Sequence, residues 1–253
     1  MTQNDSLHLA AQYLAMAGKS FIASKPDDSH TNLAWNSEEK QLESRSLNEG
    51  GLKLALNYQE YSLDFIHPKS GVEASYPLVG ARHLDIINWI SREVKFAGIA
   101  KEYNFDLHYK LPYLGAFDAD FLYPEPNPGE ITKLIQFRWL ADKAIQVVSN
   151  QFHSLTQPRI WPHHFDTGAI GYFDINKKVS VGLGLAMPDD MVADWYFYVS
   201  GYHGTDAIKT DEFKPLKNGV WRSEAKWNGA TLTATGQSMP IVGAFLSEAI
   251  KAF

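Results

Sequence analysis

Trp161-Pro162-His163-His164-Phe165-Asp166 sets two imidazoles and a carboxylate within four residues, the densest concentration of proton-handling groups in the chain. In an extended strand alternate side chains share a face, so His164 and Asp166 point together while His163 and Phe165 point away. A histidine oriented by an aspartate can serve as a general base. The same His-x-Asp pair supplies two ligands of the 2-His-1-carboxylate set that holds Fe(II) or another divalent ion, and His203 is the one histidine downstream that could complete it.

Carrying the alternation forward yields Asp166, Gly168, Ile170 and Tyr172, then Ser180, Gly182, Gly184 and Ala186, then Asp194, Tyr196, Tyr198, Ser200 and Tyr202. The intervening positions, such as Val181, Leu183, Leu185, Phe197 and Val199, are core-forming. One face therefore has a floor of Gly, Ser and Ala bordered by tyrosines and carboxylates, the composition of a small-molecule site. The expected ligand-binding residues are Tyr172, Gly182, Gly184, Tyr196, Tyr198 and Tyr202, with His164 and Asp166 as the directional or catalytic pair. Three functional classes follow: a ligand-binding or enzymatic pocket, a metal-dependent enzyme using His164, Asp166 and His203, and an oligomerising protein whose tyrosine-rich face is an interface. No cofactor is specified by the sequence.

Composition removes other classes. The 253 residues are 45% hydrophobic, enough for a substantial core. A net charge of −6 offers no basic face for nucleic acid. Zero cysteines exclude disulfides, thiolate metal sites and thiol nucleophiles. Residues 1 to 6 lack the basic start of a signal peptide, and no run approaches the roughly 18 apolar residues of a membrane span, so the expectation is a cytoplasmic protein. Gly18-Lys19-Ser20 lacks the earlier glycine and preceding strand of a phosphate loop, and no HExxH or GxSxG is present. The acidic groups Asp189-Asp190, Asp118-x-Asp120 and Glu125 read as solvated turns without the regular ligand ladder of a calcium loop.

The W-x-x-x-F-D core of the 161–166 segment, together with an early Gly-Lys at Gly18-Lys19, resembles an uncharacterised bacterial family of domain-of-unknown-function proteins. The likeness spans about residues 7 to 200, and His163-His164 stand where that family more usually has small residues. The family has no assigned activity, so the resemblance implies none.

Helical spacing marks residues 6–23, 81–97, 130–152 and 239–252. In the second of these Leu84, Ile87, Ile90 and Val94 are expected to face inward. Alternating runs at 31–36, 41–47, 52–58, 60–67 and 72–76, and at 164–173, 178–186, 193–201, 219–225 and 230–235, read as antiparallel strands. Turns are expected at Asp174-Ile175-Asn176-Lys177 and Asn218-Gly219. The order predicts an α+β fold of two fused helix–antiparallel-strands–helix units, merged as one domain over 1–253 about a pseudo-twofold axis, TATA-binding-like or helix-grip-like. An internal duplication would pair about 6–99 with 129–253 across a proline-stiffened linker at 111–128. Pro77-Leu78-Val79-Gly80-Ala81 and Pro240-Ile241-Val242-Gly243-Ala244 support it, with the excess length of the second half in 202–236.

Overall fold

The structure, a computed structural model, describes residues 2–113, 115, 117–174, 179–224 and 227–253. It is α+β, with helices α1 (Gln3–Phe21), α2 (His83–Phe96), α3 (Pro128–Ser149) and α4 (Met239–Ile250). Strands β1 (Ala34–Asn36), β2 (Gln41–Glu43), β3 (Lys53–Asn57), β4 (Ser62–His67) and β5 (Gly71–Pro77) form an antiparallel meander in that order. The second sheet contains β6 (Arg159–Trp161), β7 (Asp166–Asp174), β8 (Val179–Ala186), β9 (Tyr196–His203), β10 (Asp206–Ala207), β11 (Val220–Glu224) and β12 (Trp227–Thr233). Its order is β11-β12-β9-β8-β7-β6, with β10 on the end of β9. The strands thus fall into two antiparallel sheets.

The chain divides into two compact units, Met1–Gln136 with Trp161–His163, and Phe137–Ile160 with His164–Phe253. The order β6-β7-β8-β9-β12 parallels β1-β2-β3-β4-β5, and the additional strands β10 and β11 fall within 202–236. That likeness is one of strand order alone. The five-residue similarity does not carry over: Pro77 ends β5 and Gly80 has φ +70°, whereas Pro240 lies in the first turn of α4 and Gly243 within the helix.

In the first unit, α1 starts three residues earlier than its apolar spacing predicts because Thr2 and Asp5 form a reciprocal capping box. The helix is buried nearly throughout, including the polar His8 and Gln12 at 0% exposure. It packs on β3 and is sheathed by the extended segment 103–113. The sequence Tyr103-Asn-Phe-Asp-Leu-His-Tyr-Lys-Leu-Pro-Tyr113 alternates, with its even positions mostly exposed and its odd ones turned inward. Tyr103 Oη donates to Tyr13 O (3.2 Å), Tyr109 Oη to Gln12 Oε1 (2.6 Å), and Tyr113 Oη pairs with His8 Nδ1 (2.8 Å). This period-2 pattern was legible but forms no ladder. The 111–128 stretch is not simply an exposed connection either, since Tyr123 is buried and exchanges backbone bonds with Gly80 and Ala81.

Helix α2 buries Ile90 and Val94 as expected, but Ile86 and Trp89 complete the inward face in place of Leu84 and Ile87. Ile86, Trp89, Ile90 and Val94 are buried and Leu84 is exposed, because the Trp89 indole packs between Phe65 and Tyr76. Gly98 in the left-handed region closes this helix through its N–H to Lys95 O. Gly219, with φ +85°, supports the expected Asn218-Gly219 turn. The expected 174–177 turn falls, from Ile175 onward, outside the described residues.

Gly18 sits where the His30 carbonyl presses on α1, and a Cβ there would lie 2.6 Å from that oxygen. Lys19 reaches instead to Asp106, so Gly18-Lys19 is a packing and anchoring pair. Gly18→Ala should lower unfolding stability by about 2 kcal/mol through this clash. Gly243→Ala, whose Cβ would meet nothing within 4 Å, should raise it by roughly 0.5–1 kcal/mol. Urea denaturation of both variants checks the contrast.

Candidate functional site

The second unit builds its most distinctive chemistry where the chain turns from β6 into β7. Residues 162–165 form a turn rather than strand, and Phe165 takes φ +55°, a left-handed conformation uncommon for a bulky residue. The expected strand 164–173 therefore begins at Asp166, and strand alternation does not relate His164 to Asp166. His164 is exposed in the turn. It nevertheless lies within electrostatic reach of Asp166, where an imidazolium favours the ionised carboxylate.

Arg138 of α3 holds the strained turn. It is 1% exposed, and its guanidinium donates through Nη2 to Phe165 O and through Nη1 to Thr167 Oγ1, both at 2.7 Å. The guanidinium carbon also lies 4.3 Å from the Phe165 ring centre and 5.5 Å from that of Trp195. No carboxylate pairs with it among the described residues. Arg138 was not among the expected site residues. Its signal was a charged residue at a helix position flanked by the inward Leu134, Ala141 and Ile145.

Asp166 Oδ2 accepts a hydrogen bond from Tyr198 Oη at 2.7 Å, while Oδ1 is covered and has no hydrogen-bond partner. The residue retains partial exposure overall, yet burial of the carboxyl raises its pKa above the usual carboxylate value, opposed by Tyr198, His164, Arg138 and its own backbone N–H. The same burial and the adjacent carboxylate push the Tyr198 phenol well up. Tyr196, likewise raised by burial and a carboxylate neighbour, donates to Asp189 Oδ2 at 2.6 Å. Asp189 Oδ1 accepts from the backbone of Met191 and Val192, so this acidic loop folds on its own carboxylate.

Register places the even positions of β7, β8 and β9 on one face, as their alternation implies. Gly168 opposes Gly184, Gly184 opposes Tyr198, and Tyr198 opposes Thr231. The glycines have a definite role. A Cβ on Gly184 would overlap Thr167 O and stand 2.8 Å from Tyr198 Oη, and one on Gly168 would stand 3.0 Å from the same hydroxyl. They let the Tyr198 ring lie down on the sheet and deliver its hydroxyl to Asp166. At Gly182 only Ser200 Oγ comes within 4 Å of such a Cβ, at an ordinary 3.6 Å.

Asp166, Gly184, Tyr196 and Tyr198 thus gather towards one end of the face. Tyr172 and Tyr202 both oppose Ser180, nearer the other end, about 13 Å along the strand from Tyr198 at roughly 3.3 Å per residue. His203 opposes Val179, level with the end of β7, about 25 Å from Asp166 by the same rise. The structure does not bring His203 to the His164–Asp166 pair. Among the described residues, no group of three His, Asp or Glu side chains could hold a metal ion. His30 packs in the turn against α1, where its Nδ1 accepts from Lys25 N, and Asp118, Asp120 and Glu125 are exposed.

Arg222 on β11 shares the even face. It lies two residues from Val220, which opposes Thr231, and its Nε donates to Thr231 Oγ1 at 2.9 Å. Its two terminal nitrogens have no protein partner among the described residues. A cavity of about 400 Å³ lies beside it, lined also by Thr210, Phe213 and Trp221.

No family model, curated protein or solved structure matches the chain. Among the described residues, no helix is long and apolar enough to cross a membrane.

Arg138→Lys tests the clamp. A lysine cannot fork to both Phe165 O and Thr167 Oγ1, so this substitution should cost about 2 kcal/mol in unfolding free energy. Near-ultraviolet circular dichroism should change as Trp195 loses its planar guanidinium neighbour, and an unchanged denaturation midpoint and spectrum would show that the clamp is dispensable.

Proposed function

We propose that the second unit binds a small dipolar molecule, with an ammonium or similar hydrogen-bond-donating end at Asp166 and an anionic end at Arg222. The observation that carries this reading is Asp166 Oδ1, a covered carboxylate oxygen with no partner. Leaving such a group unmade is costly, and a charged donor from a ligand would remove that cost. Tyr196 supports the pairing of ends, because its phenol lies within the electrostatic reach of both Asp166 and Arg222. The strain at Phe165 supports a functional rather than merely structural carboxylate, since backbone outliers concentrate at sites where geometry is imposed. Gly184 and Tyr198 contribute the floor, and His164 tunes the charge of Asp166. Four strand spacings of about 4.8 Å separate the backbones of β7 and β11, and Arg222 opposes Gly229 while Asp166 is level with Thr233, an offset of about 13 Å along the strands. After the reach of both side chains, that span favours a ligand the length of an ω-amino acid over an α-amino acid.

Isothermal titration with glycine, 4-aminobutanoate and 6-aminohexanoate tests the reading. The longest should bind most tightly, and Asp166→Asn should weaken it about 10- to 100-fold, the loss expected for a charge-assisted hydrogen bond. Arg222→Gln should weaken 6-aminohexanoate but not hexylamine. No heat from any of the probes, or equal binding by Asp166→Asn, would remove the proposal.

Stability should move the other way. Because the folded-state pKa of Asp166 is raised, its contribution is fully present below the unfolded carboxylate value and is lost as pH rises through the folded one. Asn keeps an oxygen for Tyr198 and carries no charge to bury. Ligand-free Asp166→Asn should therefore exceed wild type in unfolding free energy at neutral pH by about 1 kcal/mol, measured by urea denaturation, and the gap should close as pH approaches about 4.

A further inference from the structure

Residues 208–217 run back past β11, the edge strand of the second sheet, and the cavity of about 400 Å³ lies where the two meet. Four hydrogen bonds fasten the segment along its length. Ile208 N–H donates to Gly201 O at 2.9 Å, Thr210 Oγ1 to Arg222 O at 3.1 Å, the Trp221 indole N–H to Lys214 O at 2.8 Å, and Lys217 N–H to the Glu248 carboxylate of α4 at 3.2 Å. The aromatic wall is equally fixed. The Trp221 ring meets Phe213 edge-on at 5.0 Å and Phe253 at 5.7 Å, and Phe253 is seated over Gly201, where a Cβ would collide with its ring. Pro215, Leu216 and Val220 add further apolar lining, and Val220, 53% exposed, stands at the mouth. A hollow at the lower end of the roughly 300–1,000 Å³ range of small-molecule sites has room for one ring or a branched chain.

Charge selects the head group of the guest. Arg222 lines the cavity with its Nε committed to Thr231 Oγ1, so the terminal nitrogens of its fork remain for a ligand. Asp211 lines the cavity too, but it is exposed and forms no ion pair with Arg222 among the described residues. From Ile208 to Arg222 the chain carries four cations, Lys209, Lys214, Lys217 and Arg222, against two carboxylates, Asp211 and Glu212, so this segment is positive although the whole chain stands at −6. An anion is drawn here, and a planar guanidinium fork matches a carboxylate with two parallel bonds. We infer that the cavity holds the apolar group of a carboxylic acid whose carboxylate sits on Arg222, a guest of the arylalkanoate class. The inference rests on the anionic half of the proposed function, the placing of a carboxylate at Arg222, and adds a ring-sized apolar group beside that end. It makes no use of Asp166.

Isothermal titration with 3-phenylpropanoate, propanoate and 3-phenylpropan-1-amine tests the inference. The aryl acid should bind at least about 10-fold more tightly than propanoate, the gain from burying its ring, and the amine, with the same ring and the opposite charge, should give no heat. Arg222→Gln should weaken 3-phenylpropanoate about 10- to 100-fold. Val220→Trp, a change at an exposed position, should weaken it by at least about 10-fold by filling the mouth, while the melting temperature stays within about 2 °C of wild type. Asp166→Asn should bind 3-phenylpropanoate as wild type does. Equal binding of the two acids, or undiminished binding of the aryl acid by Arg222→Gln or Val220→Trp, overturns the inference. Heat from 6-aminohexanoate with none from 3-phenylpropanoate overturns it alone. The reverse result supports it and removes the ammonium end of the proposed ligand, and silence from both probes removes both.

Discussion

The fork of Arg138 is the constraint on which the second unit's chemistry depends. A guanidinium taken out of water without a carboxylate partner is unfavourable unless its donors are satisfied and its charge finds a polarisable surround. Here the satisfaction comes from Phe165 O and Thr167 Oγ1, and the surround from the faces of Phe165 and Trp195. In return the arginine fixes a turn that Phe165 would not adopt unaided. Asp166 follows immediately, so the direction of its carboxylate is inherited from a residue on α3.

Tyr198 and the glycines complete that arrangement from the other side. A tyrosine standing off a strand could not bring its hydroxyl to a neighbour two strands away; one lying across Gly184 and Gly168 can. The small residues of the face thus make room first for the protein's own aromatic ring. The result is a carboxyl group with one oxygen paired, the other unpaired, and a proton affinity raised by its surroundings.

The first unit solves a different problem. Its central helix carries His8 and Gln12 among apolar residues, and both are buried because the 103–113 segment supplies hydroxyls to them. Gln12 Nε2 and His8 Nε2 converge on the Pro162 carbonyl, and the ring of His163 packs near Tyr109. The densest chemical stretch of the sequence is therefore divided: Pro162 and His163 belong to this network, while His164 and Asp166 belong to the other unit.

Much of the fold was legible in the chain. The four helices and ten of the strands follow from periodicities of 3.6 and 2, which are properties of local backbone geometry, and the common face of Gly184, Tyr196 and Tyr198 follows from the same rule. What periodicity could not give is where it stops. Phe165 breaks the alternation between His164 and Asp166 through a left-handed turn, and that turn exists only because Arg138, 27 residues earlier, reaches it. The separation of His203 from Asp166 likewise depends on strand register, and the inward face of α2 on the bulk of Trp89 against Phe65 and Tyr76. Local spacing determined the elements and their apolar faces; contacts between residues distant in sequence decided which polar groups meet, because no local pattern encodes the partner of a buried charge.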